Sequence, residues 1–455
     1  MLNLRLADIA RWTGGRLHGD DAVVGTVSTD TRTLSAGALF VALTGERHDG
    51  HAFAATACER GATALLVARE LPLDVPQVVV PDTQVALGEL ARAVCAQRRA
   101  RVIGITGSNG KTTVKTLLAS ILSRHGRTHV NAGNYNNEIG LPLTLLSMPA
   151  DTDFAVLEMG AGKPGDIAWL AYIAQPQVAL VNNVAPAHLE RMGSLQGVAE
   201  TKGAIHRALP ADGVSVINAD DPFDDYFSVL AAPRRVLRFG LLHRADVGAV
   251  PDENGNGFRM TTPLGAIGVE LPLPGRHNVM NALAASALAI AVGVPLATIK
   301  AGLEQAPAVA GRLTRRSHAS GAIIIDDSYN ANPGSFAAAI GTLASESGER
   351  VLVMGDMAEL GSESVRMHAD VGALARRGGI QRLHAVGPLS RAAADAFGEG
   401  AHHHPDQAHL VDALRAELRA GVVLLIKGSR SSAMDRVVAA LAGDAGGNGG
   451  ERHAA

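Results

Sequence analysis

The chain has 455 residues, of which 47% are hydrophobic and 19% charged, and 41 basic side chains face 44 acidic ones for a net charge of −3. The length exceeds one ordinary domain and indicates about three, and the composition is typical of a globular protein. The near-neutral charge argues against a nucleic-acid partner or an anionic membrane surface.

Cysteine content and hydropathy both indicate a cytoplasmic protein. Cys58 and Cys95 are the only cysteines and lie far apart, so we expect neither a disulfide framework nor a zinc site. The opening MLNLRLADIARW carries charges and lacks the long apolar core of a signal peptide. No run of about 18 apolar residues is present to span a bilayer, so we expect no membrane insertion.

Short apolar runs alternate with Ala- and Leu-rich helical stretches along the chain. This alternation predicts an α/β fold with parallel sheets buried on both faces. We expect three domains, residues 1–82, 83–312 and 313–455, the last ending in a Gly-rich tail with the composition of a disordered segment. The predicted strands are ALLVA (64–68), QVVV (77–80), RVIGIT (101–106), FAVLEM (154–159), VALVNNV (178–184), VSVIN (214–218), AIIIDD (322–327), VLVMGD (351–356), LHAVG (383–387) and VVLLIKG (422–428).

The stretch TGSNGKTT, residues 106–113, is predicted to bind nucleotide phosphates. It joins the strand RVIGIT to an amphipathic helix that begins KTTVKTLL. A Gly-rich turn leading into a helix N-terminus points backbone amides at phosphate oxygens; Lys111 adds a positive charge, and the Thr112 hydroxyl is suited to Mg²⁺. Ile105 stands where the usual phosphate-loop pattern has glycine, which disfavours a generic GTPase or kinase loop. An ordinary glycine turn is the alternative.

Two further strands lead to side chains suited to a metal. Glu158 ends one strand and His188 and Glu190 follow the next, at the sheet edge where α/β proteins bind ligands. Mg²⁺ prefers oxygen ligands. A helix-capping acid is the alternative for Glu158, and a structural role is the alternative for His188. The run HHH at 402–404 is expected to be a solvated loop rather than a metal site.

A series of motifs runs along the chain. In order, they are TGSNGKTT, GNYNNEIGLP, LEMGAGKPGDIAWL, VNNVAPAHLERMGS, GRHNVMNALAA, AGRL, DDSYNANP, GDMAELG and KGSRS. Together they resemble the Mur ligases, the ATP-dependent amide-forming enzymes of peptidoglycan precursor synthesis. The resemblance covers nearly the whole chain in the family's order, and TGxxGK[ST] is the family's own spelling of the loop. DDSYNANP and GDMAELG resemble the members that add D-alanyl-D-alanine, and we find no D-[ND]-P-R motif typical of the members that add a diamino acid.

The resemblance implies an N-terminal domain for the UDP-sugar, a central domain for ATP, and a C-terminal domain that closes over both. It implies that ATP phosphorylates the carboxylate of UDP-N-acetylmuramoyl-tripeptide and that the amine of D-alanyl-D-alanine attacks the acyl phosphate. We therefore expect ATP and Mg²⁺ as cofactors, small molecules as partners and a monomer. The alternatives are a Mur-type ligase that adds a diamino acid, and a nucleotide-dependent switch ATPase that drives a partner.

The resemblance also implies roles for individual residues. Lys111, His188, Lys202 and Arg312 are implied to be catalytic, and Thr112, Glu158, His188 and Lys202 to hold metal. Lys202, otherwise a surface lysine on an amphipathic helix, is implied to be carbamylated by CO₂, which turns a cation that Mg²⁺ repels into an anionic oxygen ligand.

The binding residues divide between the nucleotide and the two other substrates. Asn278 and Asn281 are both implied to contact adenine, Asn281 more strongly, with an N-cap and a packed helix as the alternative. Asp326 is the alternative to Asp327, and a solvated turn is the alternative for the first-domain residues. The implied ATP contacts are Gly107, Ser108, Asn109, Gly110, Lys111, Thr112, Thr113, Asn137, Asn281, Arg312, Asp327, Tyr329 and Asn330. The implied contacts to the other substrates are Ser28, Thr29, Thr31, Arg32, Arg47, Lys427, Ser429 and Arg430.

Overall fold

The computed structural model describes residues 2–45, 48–186, 188–252, 257–307 and 309–443. Arg47 and the Gly-rich tail after residue 443 therefore lie outside the described residues. Within them, three successive groups of strands and helices each form a mainly parallel sheet. The α/β fold class predicted from the alternating apolar runs is confirmed, while the domain boundaries at residues 82 and 312 stay predictions.

The N-terminal domain has a five-stranded sheet of order β2-β7-β6-β5-β4 and a separate β1–β3 ribbon. The inner strands β5 and β6 are almost wholly buried because their residues are nearly all apolar. The Asp82 side chain accepts hydrogen bonds from the amides of Gln84 and Val85 and so caps the helix that follows this domain. Its elements are β1 (Leu4–Arg5), α1 (Leu6–Thr13), β2 (Arg16–His18), β3 (Val23–Val24), β4 (Thr26–Ser28), β5 (Ala38–Val41), α2 (Ala54–Glu59), β6 (Ala62–Val67) and β7 (Gln77–Val79).

The central domain contains the largest sheet. Its elements are α3 (Thr83–Ala96), β8 (Arg101–Thr106), α4 (Lys111–Leu122), β9 (Thr128–Val130), α5 (Gly140–Ser147), β10 (Phe154–Glu158), α6 (Asp166–Ala174), β11 (Val178–Val181), α7 (Leu189–Met192), α8 (Leu195–Arg207), β12 (Val214–Asn218), α9 (Asp224–Ala231), β13 (Arg235–Gly240), β14 (Val247–Pro251), β15 (Gly257–Thr262), β16 (Gly265–Glu270), α10 (Arg276–Ala291) and α11 (Leu296–Glu304).

The order of this nine-stranded sheet determines where the site lies. The order is β16-β15-β14-β13-β12-β11-β8-β10-β9, and β9 to β14 are parallel. The apolar strand β8 lies between β10 and β11, with helices packed on both faces of the sheet. The residues that follow these three strands therefore meet at one edge. The antiparallel extension β15–β16 was not among the predicted strands.

The C-terminal domain has a six-stranded sheet of order β17-β18-β22-β19-β20-β21, in which only β17 is antiparallel to its neighbour. The last strand, β22, is therefore inserted between β18 and β19. Its elements are β17 (Thr314–Ser317), β18 (Ile323–Asp327), α12 (Pro333–Ala344), β19 (Glu349–Gly355), α13 (Ser364–Arg377), β20 (Arg382–Val386), α14 (Arg391–Phe397), β21 (Ala401–His404), α15 (Gln407–Glu417), β22 (Val422–Lys427) and α16 (Met434–Ala442).

The histidine run was predicted wrongly as a solvated loop. It forms the edge strand β21, which pairs in parallel with β20. His404 is half-buried and its ring stacks on the buried His384 ring, with 5.2 Å between centroids. These tertiary contacts stabilise a strand that the local turn residues did not predict. No group of three or more His, Cys, Asp or Glu side chains that could hold a metal ion is found here or elsewhere in the described part of the chain.

Candidate active site

The phosphate loop, residues 107–110, lies at the carboxyl end of β8 and leads directly into α4. Gly110 caps α4 in a left-handed conformation with φ of 80°. A Cβ there would lie 2.4 Å from Oδ1 of Asn281, so only glycine fits without displacing that side chain. The Lys111 Nζ donates to the carbonyl of Gly107 at 2.7 Å. The loop thus combines a helix N-terminus with a lysine cation, the two features that favour a phosphate.

Glu158 at the end of β10 is a buried carboxylate surrounded by donors. Its Oε2 accepts from the Thr112 hydroxyl at 3.0 Å and lies 3.3 Å from Nζ of Lys115, and its Oε1 accepts from Nδ2 of Asn136 at 2.9 Å. Burial alone would raise the pKa of Glu158, but Lys111 and Lys115 together with these hydrogen bonds hold it below its ordinary value. Glu158 is therefore a carboxylate held toward its ionised form beside the phosphate loop.

The side-chain nitrogen atoms of His188 and Lys202 lie in the same region, near Lys111, which directly follows the phosphate loop. Lys202, on α8, is almost wholly buried, and burial together with Lys111 lowers its pKa well below that of an ordinary lysine. Desolvation also lowers the pKa of His188, an effect that Glu359 opposes and Lys202 reinforces. Both shifts are toward the neutral form of the side chain. The surface position considered for Lys202 on sequence grounds is wrong, because apolar residues of α8 turn this side chain inward.

Side chains of the C-terminal domain, together with Arg312 at the predicted boundary between the two domains, reach the phosphate loop directly. Nδ2 of Asn332 donates to Oδ1 of Asn109 at 2.7 Å. The Arg312 guanidinium lies 4.2 Å from the Tyr329 ring centroid and donates to the Thr112 hydroxyl over a long 3.4 Å. Asn332, Arg312 and Tyr329 line one polar cavity of about 390 Å³ together with the loop.

Lys427 and Asp327 form a buried ion pair between adjacent strands of that domain. Nζ of Lys427 donates to Oδ2 of Asp327 at 2.7 Å and to the carbonyl of Asn330 at 2.9 Å. Burial lowers the pKa of Lys427, and Asp327 opposes that effect. The neighbouring Asp326 instead accepts from the hydroxyl of Ser328 at 2.6 Å. Asp327, rather than Asp326, therefore lines the cleft.

A second cavity, of about 740 Å³, extends from the phosphate loop between the two domains. Asn281 and Asn278 lie on its wall, where Nδ2 of Asn281 donates to Oδ1 of Asn278 at 3.2 Å. Nδ2 of Asn182 donates to Oδ1 of Asn281 at 3.1 Å, so these amides hold one another in place. Thr113, Asp327 and Lys427 also line this cavity. Its size and its position beside the phosphate loop suit the base and sugar of a nucleotide.

Three family models match the chain in the order in which its domains occur. The Mur ligase family, catalytic domain model matches residues 23–95, the Mur ligase middle domain model matches residues 105–289, and the Mur ligase, glutamate ligase domain model matches residues 311–430. A UDP-N-acetylmuramoyl-tripeptide--D-alanyl-D-alanine ligase of Escherichia coli K12 is 47% identical over 97% of this chain and 99% of its own.

The chain belongs to the Mur ligase family.

Other Mur ligases match at similar extent. The ligase of the same name from Bacillus subtilis is 35% identical over 95% of this chain and 96% of its own. A MurF crystal structure from Acinetobacter baumannii has a TM-score of 0.92 at 35% identity, covering 97% of this chain and 100% of its own. A Thermotoga maritima MurF ligase in complex with ADP has a TM-score of 0.83 at 28% identity, covering 92% and 97%. The family resemblance and the three-domain fold are therefore confirmed.

The first-domain residues predicted to bind substrate lie at the end of β4, apart from both cavities. Both Arg32 and Asp30 are solvent-accessible and form an ion pair with 2.7 Å between Nη2 and Oδ2. The Ser28 hydroxyl donates to the Asp30 carbonyl at 3.0 Å, and the Thr31 carbonyl accepts from Arg60 at the same distance. Thr29 lies between them and is partly buried. These contacts leave the guanidinium group of Arg32 at the surface.

The residues predicted to receive the dipeptide separate into two environments. Lys427 is buried beside Asp327, whereas Arg430 is exposed, with 3.6 Å between its Nη1 and Asp435. The Ser429 hydroxyl is buried and within 2.8 Å of the Ser432 hydroxyl. Lys427 thus lines the nucleotide cavity, and only Ser429 and Arg430 remain at the strand-to-helix turn.

Sequence reasoning missed several residues of this Mur ligase site. Asn137, which was predicted, lines the smaller cavity, and its Oδ1 accepts from the Gly140 amide at 2.9 Å. Its neighbour Asn136 contacts Glu158, and Lys115 lies one helical turn after Lys111 on the same face. Lys115 has the i, i+4 spacing that would have revealed it. Asn332 and Glu359 reach the site only through tertiary contact. No helix in the described segments is long and apolar enough to cross a membrane.

Proposed function

We propose that this Mur ligase joins D-alanyl-D-alanine to UDP-N-acetylmuramoyl-tripeptide at the expense of ATP, through an acyl phosphate. The identity of 47% to the E. coli ligase of that name, over 97% of the chain, carries the proposal. One cavity is lined by residues of the phosphate loop, by side chains suited to a metal ion and by side chains of the C-terminal domain, which supports the proposal.

The proposed chemistry solves a problem of charge. A carboxylate is a poor electrophile because its negative charge repels an incoming amine. Transfer of the γ-phosphoryl group from ATP removes that charge and supplies a leaving group. The amine nitrogen then forms the amide bond while the bond between the carbonyl carbon and the phosphate oxygen breaks. Phosphoryl transfer needs positioning and charge neutralisation from the protein. Lys111, the loop amides and Arg312 would supply both.

Donor chemistry at the loop fits Mg²⁺. Thr112 and the ionised Glu158 are oxygen donors in mutual contact, and a neutral His188 is a competent ligand. Bound Mg²⁺ neutralises phosphate charge and polarises the transferring group. We propose Thr112 and Glu158 for the nucleotide-associated ion, and Glu158, His188 and Lys202 for a second.

Carbamylation of Lys202 is part of the same proposal. Its Nζ has no hydrogen-bond or ion-pair partner within the segments that the structure describes, and its lowered pKa favours the neutral amine that attacks CO₂. The nitrogen–carbon bond forms as the amine loses a proton, which gives an anionic carbamate. That group would supply an oxygen ligand in addition to Glu158 and His188, which do not complete the metal site by themselves.

The remaining substrate contacts follow from position. We propose that Ser28, Thr29, Thr31 and Arg32 hold the UDP end, since they form one polar turn at the end of β4. Ser429 and Arg430 are proposed for the dipeptide carboxylate, with Lys427 assigned to the nucleotide side through Asp327. Because both proposed substrates are cytoplasmic small molecules and one chain provides all these residues, we propose a cytoplasmic monomer.

Phosphate release is the test of the proposed reaction. The purified chain is assayed with ATP, Mg²⁺ and bicarbonate, with UDP-N-acetylmuramoyl-tripeptide and D-alanyl-D-alanine present together or one at a time. We expect phosphate release only with both, and a product mass equal to the two substrates less one water. The tripeptide is supplied with either lysine or diaminopimelate at its third position.

Two control arms discriminate the alternatives. Turnover with a UDP-dipeptide and a free diamino acid, but not with the dipeptide D-alanyl-D-alanine, would replace the substrate assignment. ATP hydrolysis with neither acceptor would favour a switch ATPase. Lys300→Ala serves as the matched variant to Lys111→Ala, because Lys300 pairs with Glu304 on α11 and lines neither of the two cavities.

A further inference from the structure

His188 and Glu359 contact each other across the boundary between the central and C-terminal domains. Nδ1 of His188 and Oε2 of Glu359 are in direct contact, and Nδ1 has no other polar partner among the described residues. Both residues adopt left-handed backbone conformations, with φ of 54° and 60°. Such conformations are uncommon for residues other than glycine and cluster at functional sites. Two such residues in contact with each other indicate that the surrounding structure holds this pair in a defined geometry.

The loop that carries Glu359 is anchored on both sides. Met357 and Leu360 are buried in the core of the C-terminal domain, and the Met357 amide donates to Nε2 of His368 at 2.9 Å. Gly361 follows closely, where an added Cβ would lie 3.7 Å from Cα of Glu190 in the central domain. The anchored loop therefore projects the Glu359 carboxylate away from its own domain and onto His188.

The contact uses one particular nitrogen of the imidazole ring. With Nδ1 engaged by Glu359, Nε2 is the nitrogen left for a ligand, and no partner of Nε2 is found among the described residues. His188 lines the smaller cavity together with Glu158 and Lys111. A metal-binding histidine commonly gives its second ring N–H to a carboxylate, which fixes its tautomer and orientation.

We propose that Glu359 is a positioning residue that accepts the Nδ1–H of His188 and presents Nε2 to the second metal ion. This inference rests on the proposed metal role of His188. Because Glu359 belongs to the C-terminal domain, the ligand is oriented only when that domain contacts the central one. Metal binding at this site and domain closure then favour each other.

Manganese binding to the full-length protein tests the inference independently of turnover. Mn²⁺ is titrated by electron paramagnetic resonance in bicarbonate buffer with a non-hydrolysable ATP analogue and UDP-N-acetylmuramoyl-tripeptide. We expect two sites in the wild-type complex. In Glu359→Gln the second site should weaken by about tenfold to a hundredfold, the usual cost of altering such a supporting partner, while the nucleotide-associated site keeps its affinity.

Matched variants separate the possible outcomes. Glu363→Gln removes a nearby exposed carboxylate that pairs with Arg366 and should leave both sites unchanged. If His188→Ala abolishes the second site while Glu359→Gln binds like wild type, the positioning role is overturned and the metal role stands. If His188→Ala retains both sites, the metal role itself fails.

Small-angle X-ray scattering of the same complexes distinguishes positioning from a simple domain latch. We expect the Glu359→Gln complex to stay as compact as wild type while its Mn²⁺ affinity falls. An affinity loss that appears only together with expansion of the complex would overturn the positioning role.

Discussion

Asn332 joins the two domains while it caps a helix. Its Nδ2 donates to Oδ1 of Asn109 in the phosphate loop at 2.7 Å, and its Oδ1 accepts from the Ser335 amide at 2.8 Å at the start of α12. One amide side chain therefore satisfies a helix N-terminus with its oxygen and reaches across the cleft with its nitrogen.

The two roles of Asn332 are separable by mutation. Asn332→Asp keeps the capping oxygen but replaces the donor with an acceptor that faces another acceptor on Asn109. We expect kcat/KM for ATP to fall about threefold to tenfold, the scale of one hydrogen bond, with the melting temperature almost unchanged. Steady-state kinetics and calorimetry measure the two effects. Loss of stability without loss of activity would show that only the cap matters.

Lys111→Ala should lower ligation by roughly a hundredfold or more, because the transferring phosphoryl group loses a fixed cation. Phosphate release under saturating substrates measures the effect, with Lys300→Ala as the unaffected control. Activity within tenfold of wild type would contradict the role of Lys111.

Arg312→Ala should reduce turnover more than nucleotide affinity. Arg312 lies at the predicted boundary of the two domains, where it stacks on Tyr329 and reaches Thr112, so we expect its charge to act when the domains are together. We expect kcat to fall by about 10³-fold, as for other arginines at phosphoryl-transfer sites, while calorimetric ATP affinity changes by less than about tenfold. Arg312→Lys should restore little of the lost turnover, because lysine lacks the planar guanidinium group. Equal losses in both quantities would place Arg312 in the ground-state site.

Lys202→Ala should lose activity that short carboxylates such as acetate or propionate partly restore, since they replace the carbamate oxygen. Carbon-13 NMR of wild type in ¹³C-bicarbonate should show a carbamate resonance that Lys202→Ala lacks. Full activity in the variant, or an unmodified amine at this position in a nucleotide-bound crystal structure, would be incompatible with the proposal.

Lys202 should also reduce the stability of the protein when CO₂ is absent. Burial lowers its folded-state pKa, so between that value and the ordinary 10.5 the unfolded chain binds more protons and stability rises with pH. Lys202→Met removes the buried amine, and in CO₂-free buffer at pH 7 we expect a stabilisation of about 1–3 kcal/mol. Thermal melting from pH 7 to 10 should show a smaller pH dependence for the variant than for wild type.

The sequence predicted the buried inner strands such as β8, β10, β11 and β22, because each is a short apolar run. It did not predict edge strands such as β17 and β21, whose residues are mostly polar. The phosphate loop was also predictable from the sequence, because its glycines, its lysine and the following helix are contiguous. Glu359 and Asn332 were quoted within motifs but given no role, because their contacts with His188 and Asn109 join distant parts of the chain. The buried position of Lys202 likewise depends on packing around α8, which local pattern alone does not determine.

The order in which the C-terminal sheet is built has a consequence for synthesis of the protein on the ribosome. Strand β22 is the last to be made, yet it lies between β18 and β19, which have no direct pairing of their own. It also carries Lys427, the partner of Asp327. A chain released before residue 422 would retain the phosphate loop but lack β22, the strand that completes the opposite wall of the cleft. Prematurely terminated products are therefore unable to assemble the cleft, even though they contain every residue of the loop.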